Sequence, residues 1–218
     1  MDAYGKTSRT TLKRAHERGC YDRATVHAIL DAALICHVAF LHDGAPALIP
    51  TAHWRDGDVL YIHGSSASRA IRALETGAPA CIAVSLTDGL VLARSGFHHS
   101  IDYRSVVIYG AARKITDEAE KLAQLKIFME KIAPGRWQEL RAPNEKEMKA
   151  TAVLAFDLDE VSAKVRDKGV ADDPEDMDAR VWAGVVPVRR SFGSPEQDPQ
   201  LAGDIPLPEY LKDYKGPG

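Results

Sequence analysis

Cysteine is scarce in this chain of 218 residues, and the few present follow no pairing pattern. Cys20, Cys36 and Cys81 are the only three. With no CxxC and no Cys/His ligand spacing, a disulfide framework or a structural zinc site is excluded as the basis of the fold. Cys36 and Cys81 sit in apolar runs, where a free thiol behaves as a small hydrophobe, and a reducing cytoplasm is the expected setting. Long hydrophobic runs are missing too. None approaches the roughly 18 residues that span a bilayer, and residues 1–6 lack the charged-then-apolar order of a signal peptide. Charge of one sign is also absent. The 28 Lys and Arg stand against 31 Asp and Glu, a formal net charge of -3, so the overall field draws the chain neither to nucleic acid nor to an anionic membrane. Neither the Walker nor the Rossmann glycine fingerprint occurs, no Gly-x-Ser-x-Gly elbow is present, and no internal repeat is found.

What remains is a β-rich pattern. Hydrophobic residues make up 45% and charged residues 27%, the balance of an ordinary domain with a sizeable core. Residues 1–20, basic and polar with Lys6, Arg9, Lys13, Arg14 and Arg18, read as a loosely packed arm. A helix is predicted from Asp22 as N-cap, with Val26, Ile29, Leu30 and Ala33 at helical spacing. Strands over 33–41 and 45–54 flank His42-Asp43-Gly44, a hairpin signal, and Asp56-Gly57 makes a second turn before a strand over 59–63. A short helix over 69–75 ends at Gly77. Strands over 80–86 and 90–95 are expected around a hairpin at Thr87-Asp88-Gly89. The unbroken apolar run within 103–115 implies a strand buried on both faces. Residues 117–132 read as an amphipathic helix with Leu122, Leu125, Phe128, Met129 and Ile132 on its apolar side, ended by Pro134-Gly135. Strands over 152–157 and 161–168 and an apolar segment over 181–188 complete the pattern. Closely spaced strands with few helices predict a small barrel that closes its own edges. The division is an arm over 1–20, one mainly β domain with flanking helices over 21–188, and an extended tail over 189–218.

The most pointed stretch is Tyr61-Ile62-His63-Gly64-Ser65-Ser66-Ala67-Ser68-Arg69, where an apolar strand runs into a hydroxyl-rich turn that opens onto a helix. Small side chains leave backbone N–H groups accessible there, and the serine hydroxyls and Arg69 add donors. The helix start at Ser68 adds the positive end of its dipole. A phosphate or similar anion suits such a turn; so does a plain helix cap. The strand over 48–53 lies beside 61–63 across a tight hairpin, which puts Thr51 and Ala52 near the turn. Pro50 cannot donate to a ladder and marks an edge or a bulge. A backbone freed in this way can hydrogen-bond a planar polar ring, and an ordinary barrel rim is the competing reading. A second cluster, Arg94-Ser95-Gly96-Phe97-His98-His99-Ser100-Ile101-Asp102-Tyr103-Arg104-Ser105, interrupts two apolar strands with histidine, arginine and serine. His98 and His99 point to opposite sides if extended, so a shared metal is not expected. Contact with a ligand or a partner subunit competes there with a solvated loop. Asp157, Asp159 and Glu160 cluster at a turn where carboxylates face water.

Ile49-Pro50-Thr51-Ala52-His53-Trp54-Arg55-Asp56-Gly57-Asp58 followed by Leu60-Tyr61-Ile62-His63-Gly64-Ser65-Ser66-Ala67-Ser68-Arg69 resembles the flavin-nucleotide-binding branch of the pyridoxamine 5'-phosphate oxidase-related superfamily. Residues 88–95, 97–100, 103–107 and the segment Trp182-Ala183-Gly184-Val185-Val186-Pro187 extend the resemblance, in order, across residues 20–188. It implies an FMN-binding split β-barrel, built as a homodimer with FMN at the interface. Carried over, His63, Gly64, Ser65, Ser66, Ser68 and Arg69 would hold the phosphate and ribityl chain, and Pro50, Thr51 and Ala52 would line the isoalloxazine edge. Ser95, His98, His99, Arg104 and Ser105 would approach from neighbouring strands or the other subunit, and Trp182 would cover the site. True pyridoxamine phosphate oxidases carry an Arg/Lys-rich phosphate motif and a C-terminal Trp…Arg-Leu pattern. The Ser-Arg pair and the Trp-Ala-Gly-Val-Val-Pro segment here depart from both, so vitamin B6 oxidation is not expected. The activity implied is electron transfer from a reduced nicotinamide or other donor to a small organic acceptor, in a branch that includes nitroimidazole-resistance reductases. A flavin carrier without turnover and a haem-handling split barrel are the alternatives.

Overall fold

Each element begins where the sequence supplies a cap or a turn. The structure, a computed structural model, describes residues 2–203 and 205–216. A two-residue strand β1 (Gly19–Cys20) precedes helix α1 (Arg23–Ala32), whose N-cap Asp22 accepts from the Thr25 N–H at 2.8 Å, as expected of aspartate at that position. Asp43 and Gly44 both hold positive φ, 50° and 77°, the two-residue turn whose twist matches its strands. They join β2 (Ile35–His42) to β3 (Ala45–Asp56). Gly57, at φ 56°, turns β3 into β4 (Val59–Ser65), which feeds α2 (Arg69–Leu74). There follow β5 (Pro79–Leu92), β6 (Ser100–Ala111), β7 (Arg113–Lys114), α3 (Glu118–Ile132), α4 (Glu145–Ala150), β8 (Thr151–Asp157), β9 (Glu160–Arg166), β10 (Gly184–Pro187) and α5 (Glu209–Lys212).

The strands form one antiparallel sheet in the order β1-β9-β6-β5-β2-β3-β4-β8-β7, with β10 added to β5. Its inner face follows the pleat: Val38, Ile82, Ile108 and Val161 stand in register on four adjacent strands, all buried. Val26, Ile29 and Leu30 of α1 and Ile71 and Leu74 of α2 close this core. A second apolar layer lies on the outer face of β3, β4 and β8. There Trp54, Tyr61, Ile115, Val153 and Ala155 meet Leu125, Ile127 and Phe128 of α3. Burying side chains of this size contributes roughly 1.5–3 kcal/mol each. No helix among the described residues is long and apolar enough to cross a membrane.

The structure corrects four expectations. First, 80–86 and 90–95 are not two strands around a hairpin: β5 runs unbroken through Thr87 and Gly89 with a register shift between them. A bulge uses the same local Asp-Gly signal as a turn. Glycine at 89 also has a steric cause, because a Cβ there would stand 2.6 Å from Val185 Cγ1 of β10. Second, β6 is buried on one face only: Val106 and Ile108 are buried, while Val107 and Tyr109 are partly exposed. Third, the inward face of α3 is rotated. Gln124 is its buried residue and Leu122 is exposed, because the Gln124 amide bridges the Trp54 indole N–H (3.0 Å) and the Asp56 carboxylate (2.9 Å). Fourth, the N-terminal arm is packed. Tyr4 and Thr10 are buried, the Tyr4 hydroxyl donates to Asp58 Oδ1 at 2.7 Å, and the Arg9 guanidinium lies over the Tyr109 ring at 5.2 Å.

Candidate functional site

The sheet splits at one place. β3 pairs with β2 over Ala45–Ala52 and with β4 only from His53↔Ile62 to Asp56↔Val59. Beyond that point β4 continues beside β8 as far as Ser65↔Thr151, and the two strands part. Pro50, Thr51 and Ala52, paired with β2 on one side, therefore have no strand partner on the other among the described residues, and they face the likewise unpaired side of His63, Gly64 and Ser65, whose partner is β8. Proline is at home on such an edge.

The turn at the end of β4 divides its donors. Ser65 Oγ accepts from the Ala67 N–H (3.3 Å). Ser66 is tied to the α4–β8 junction, its N–H donating to Ala150 O (2.8 Å) and its hydroxyl to Lys149 O (3.2 Å). Ser68 stands at the N-cap of α2 with extended backbone, yet its hydroxyl caps nothing. The first-turn N–H groups of Arg69, Ala70 and Ile71 have no intrahelical acceptor, as in any helix. Arg69 is exposed and enters no salt bridge among the described residues. Gly64 lets the helix start close to the strand, since a Cβ would lie 3.1 Å from Ile71 Cγ1. A cleft of about 380 Å³, lined by His42, Ala67, Arg69, Arg72 and Ala73, lies alongside. A free hydroxyl, two arginines and unpaired N–H groups suit an oxyanion.

His63 faces elsewhere. Its ring lies 5.8 Å from Trp54 and 4.7 Å from Phe128, centroid to centroid, beneath α3. Its Nδ1 is buried without a partner, and burial lowers its pKa below the ordinary histidine value. His53, in register with Ile62 and so on the opposite face of the sheet from His63, is 1% exposed and donates from Nε2 to Leu30 O at 2.9 Å. That bond leaves Nδ1 as a buried lone pair. Desolvation, aided by the Lys131 ammonium, pushes the His53 pKa down to about 4. Lys131 Nζ reaches Leu30 O, Ala33 O and His53 O at 3.1–3.4 Å, a cation placed at the negative end of α1. A cavity of about 400 Å³ opens here, with Ala52, His53, Phe128, Ile132, Phe192 and Tyr214 among its walls. The Tyr214 hydroxyl donates to Ile132 O. The tail thus contributes a wall of this cavity, which sequence reasoning missed; its signal was the three aromatics Phe192, Tyr210 and Tyr214 in a segment rich in Pro, Gly and charge.

The second cluster is held by a residue the sequence did not single out. The Asp172 carboxylate, fully buried, accepts from the Arg94 N–H (3.0 Å) and from Arg94 Nη1 (2.9 Å). His98 Nδ1 lies 3.8 Å from it, and His98, Asp172 and Asp176 bring possible ligand atoms within 4.8 Å of one another. Ser95 Oγ accepts from the Phe97 N–H (3.3 Å), and His99 Nδ1 lies 3.0 Å from Ser95 O. Arg104 is paired at both ends with Asp88, at 2.9 and 2.7 Å. Ser105 stands opposite Ser85. Trp182 is largely exposed and rests on Gly184 just before β10. Pro50–Ala52 and the 63–69 turn are therefore brought together. Ser95 and His98 gather at Asp172, with His99 held against Ser95 O, and β5 and β2 stand between β6 and the split in β3. Within one chain the two groups remain apart.

The family described as pyridoxamine 5'-phosphate oxidase matches residues 22–165. No curated protein matches the chain. Among solved structures it is similar to a flavocytochrome from Azotobacter vinelandii at 44% identity, with a TM-score of 0.90 over 94% of this chain and 95% of that one. It is also similar to an FAD- and haem-binding protein from Mycobacterium smegmatis at 37% identity, with a TM-score of 0.87 over 92% and 98%. A protein from Bacteroides thetaiotaomicron named for 5-nitroimidazole antibiotic resistance shares the fold at 23% identity and a TM-score of 0.56, over 67% and 86%. With its strand order, its split edge and these matches, the chain belongs to the pyridoxamine 5'-phosphate oxidase-related family of flavin-binding split barrels.

Proposed function

We propose that the chain is a flavin-dependent oxidoreductase that passes electrons from a reduced nicotinamide or other donor to a small acceptor, and that it carries haem as well as flavin. The parting of β3 from β4 carries the flavin reading. It opens an unpaired backbone edge at Pro50–Ala52 beside a turn whose free donors, Ser68 and Arg69, suit a phosphate. FMN and FAD share that phosphate, and FMN is the flavin this turn accounts for by itself. When bound, the flavin supplies hydride and single-electron chemistry and the haem single-electron chemistry. Ser68, Arg69 and the first N–H groups of α2 would hold the phosphate, and the β3 edge would meet the polar side of the ring.

The haem reading is favoured by His63 and by the two relatives of 44% and 37% identity, one named as a flavocytochrome and the other as binding FAD and haem. Burial lowers the His63 pKa and its ring packs against Trp54 and Phe128, which favours the neutral imidazole that offers a lone pair to iron. His53 is the poorer ligand: its Nε2 is engaged by Leu30 O, its remaining Nδ1 is buried, and it lies on the other face of the sheet from His63. A second copy of the chain would complete the flavin site. The exposed Ile35, Leu41 and Leu48 share one face of β2–β3, and Leu90, Ile101 and Val186 stand side by side across β5, β6 and β10. Apolar faces of this kind mark interfaces.

Purified protein is expected to show both oxidised-flavin absorbance and a Soret band. Replacing Ser68 and Arg69 together by alanine removes charge-assisted hydrogen bonds worth about 1.5–3 kcal/mol each. Flavin should be released from a protein that still sediments as a dimer; unchanged flavin affinity would place the phosphate elsewhere, and a monomer would remove the interface. His63→Ala should abolish the Soret band while leaving the flavin, and a retained band would exclude His63 as ligand. Anaerobic mixing with a reduced nicotinamide should bleach the flavin; no bleaching would leave a carrier.

A further inference from the structure

The outer edge of β5 has a gap. On that side β2 pairs with it over Ala80–Ala83 and β10 over Gly89–Leu92. Residues 84–88 between them have no strand partner there among the described residues. The gap is the floor of a cavity of about 460 Å³, with Ser85, Thr87, Arg104, Arg189 and Arg190 among its walls. The chain leaving β10 forms one side, fixed where the Val188 N–H donates to Asp88 O at 2.9 Å. The end of α1 forms the other, where Arg190 Nη2 donates to Ala32 O at 2.5 Å. Arg104 and Asp88 neutralise each other. Arg189 enters no salt bridge among the described residues, and Arg190 is engaged only by a carbonyl and by the Phe192 ring 5.7 Å away. Two guanidinium charges therefore remain uncompensated beside two hydroxyls and an unpaired strand edge.

Guanidinium forks and hydroxyls in one concave site match phosphate oxygens, which accept several charge-assisted bonds at once. From this juxtaposition we infer that the gap in β5 is a second phosphate site, separate from the Ser65–Arg69 turn, which takes the diphosphate of a nucleotide. A dinucleotide electron donor carries such a diphosphate; FAD does not bring a second one, because one of its two phosphates is the phosphate assigned to the Ser65–Arg69 turn. The site does not depend on the flavin turn, since none of its residues belongs to that turn.

The test is ADP binding by calorimetry, with pyrophosphate and adenosine as partial probes, in the flavin-loaded protein and in the Ser68→Ala/Arg69→Ala variant. The second background keeps the flavin turn out of the measurement and tests the site even if no flavin binds. ADP and pyrophosphate should bind in both, adenosine should not, and affinity should fall as salt rises. Arg189→Ala/Arg190→Ala should weaken ADP by at least about tenfold, or roughly 1.4 kcal/mol, with unchanged thermal stability because both side chains are exposed. ADP binding that this variant leaves intact, or no ADP binding in either background, overturns the site. ADP binding that survives loading with either FMN or FAD supports a separate donor site; ADP binding that FAD abolishes places the flavin's own adenylate there and overturns it.

Discussion

Replacing Trp54 by alanine should lower stability by about 3–5 kcal/mol, the cost of removing a large aromatic from a closed layer. Trp54 is fully buried and stacks on Tyr61 at 5.7 Å, with Phe128 tilted against it at 5.0 Å. The loss goes beyond volume. The indole N–H is the donor to Gln124, and Gln124 is in turn the donor to Asp56, so truncation leaves a buried amide oxygen without its partner. Denaturant unfolding of the variant measures the loss, with Phe97→Ala as control. Phe97 is 91% exposed, and its replacement should stay within about 0.5 kcal/mol. A Trp54 deficit as small as the control's would mean that α3 does not depend on this layer.

Asp102→Ala should be comparably damaging, by about 3–5 kcal/mol, for an electrostatic reason. Arg166 Nη1 pairs with Asp102 Oδ1, and both residues are buried, at 6% and 7% exposure. Arg166 Nη2 has a further acceptor in Gly169 O at 3.1 Å, but one carbonyl does not neutralise a guanidinium held out of water. The discriminating variant removes both charges. Asp102→Leu/Arg166→Met should recover most of the lost stability, because replacing a buried ion pair as a whole by apolar side chains is often near neutral. A double variant no more stable than Asp102→Ala would show that packing, rather than the stranded charge, sets the cost.

Much of the fold was legible because its signals are local. Asp43-Gly44 and Gly57 needed positive φ and marked their turns, and Asp22 capped α1 as its type predicts. The failures lie where a neighbour distant in sequence decides. Asp88-Gly89 carries the signature of a hairpin, but Val185 of β10 is what requires the glycine. Leu122 fits the apolar spacing of α3, yet the buried position went to Gln124 because Trp54 and Asp56 needed an amide between them. The arm at Tyr4 reads as solvated until Asp58 meets its hydroxyl. At the candidate site, the turn after β4 and the edge at Pro50 were visible as residue types. The direction His63 faces depends on α3, some sixty residues on, and the part played by Asp172 depends on a loop with no motif.

The continuity of β5 has a further consequence. One strand from Pro79 to Leu92 is at once a barrel stave and the support of β10, and the Asp102–Arg166 pair ties the neighbouring end of β6 to β9. Strands joined in this way open together, so the outer extension belongs to the cooperative unit of the barrel and its amides should exchange with the core. Residues 189–203 and 205–216 are different. Side-chain contacts of Arg190, Phe192, Tyr210 and Tyr214 hold them without any strand pairing among the described residues, which makes the tail a separate, low-energy opening unit. The wall it lends to the His53 cavity can therefore open while the barrel remains folded.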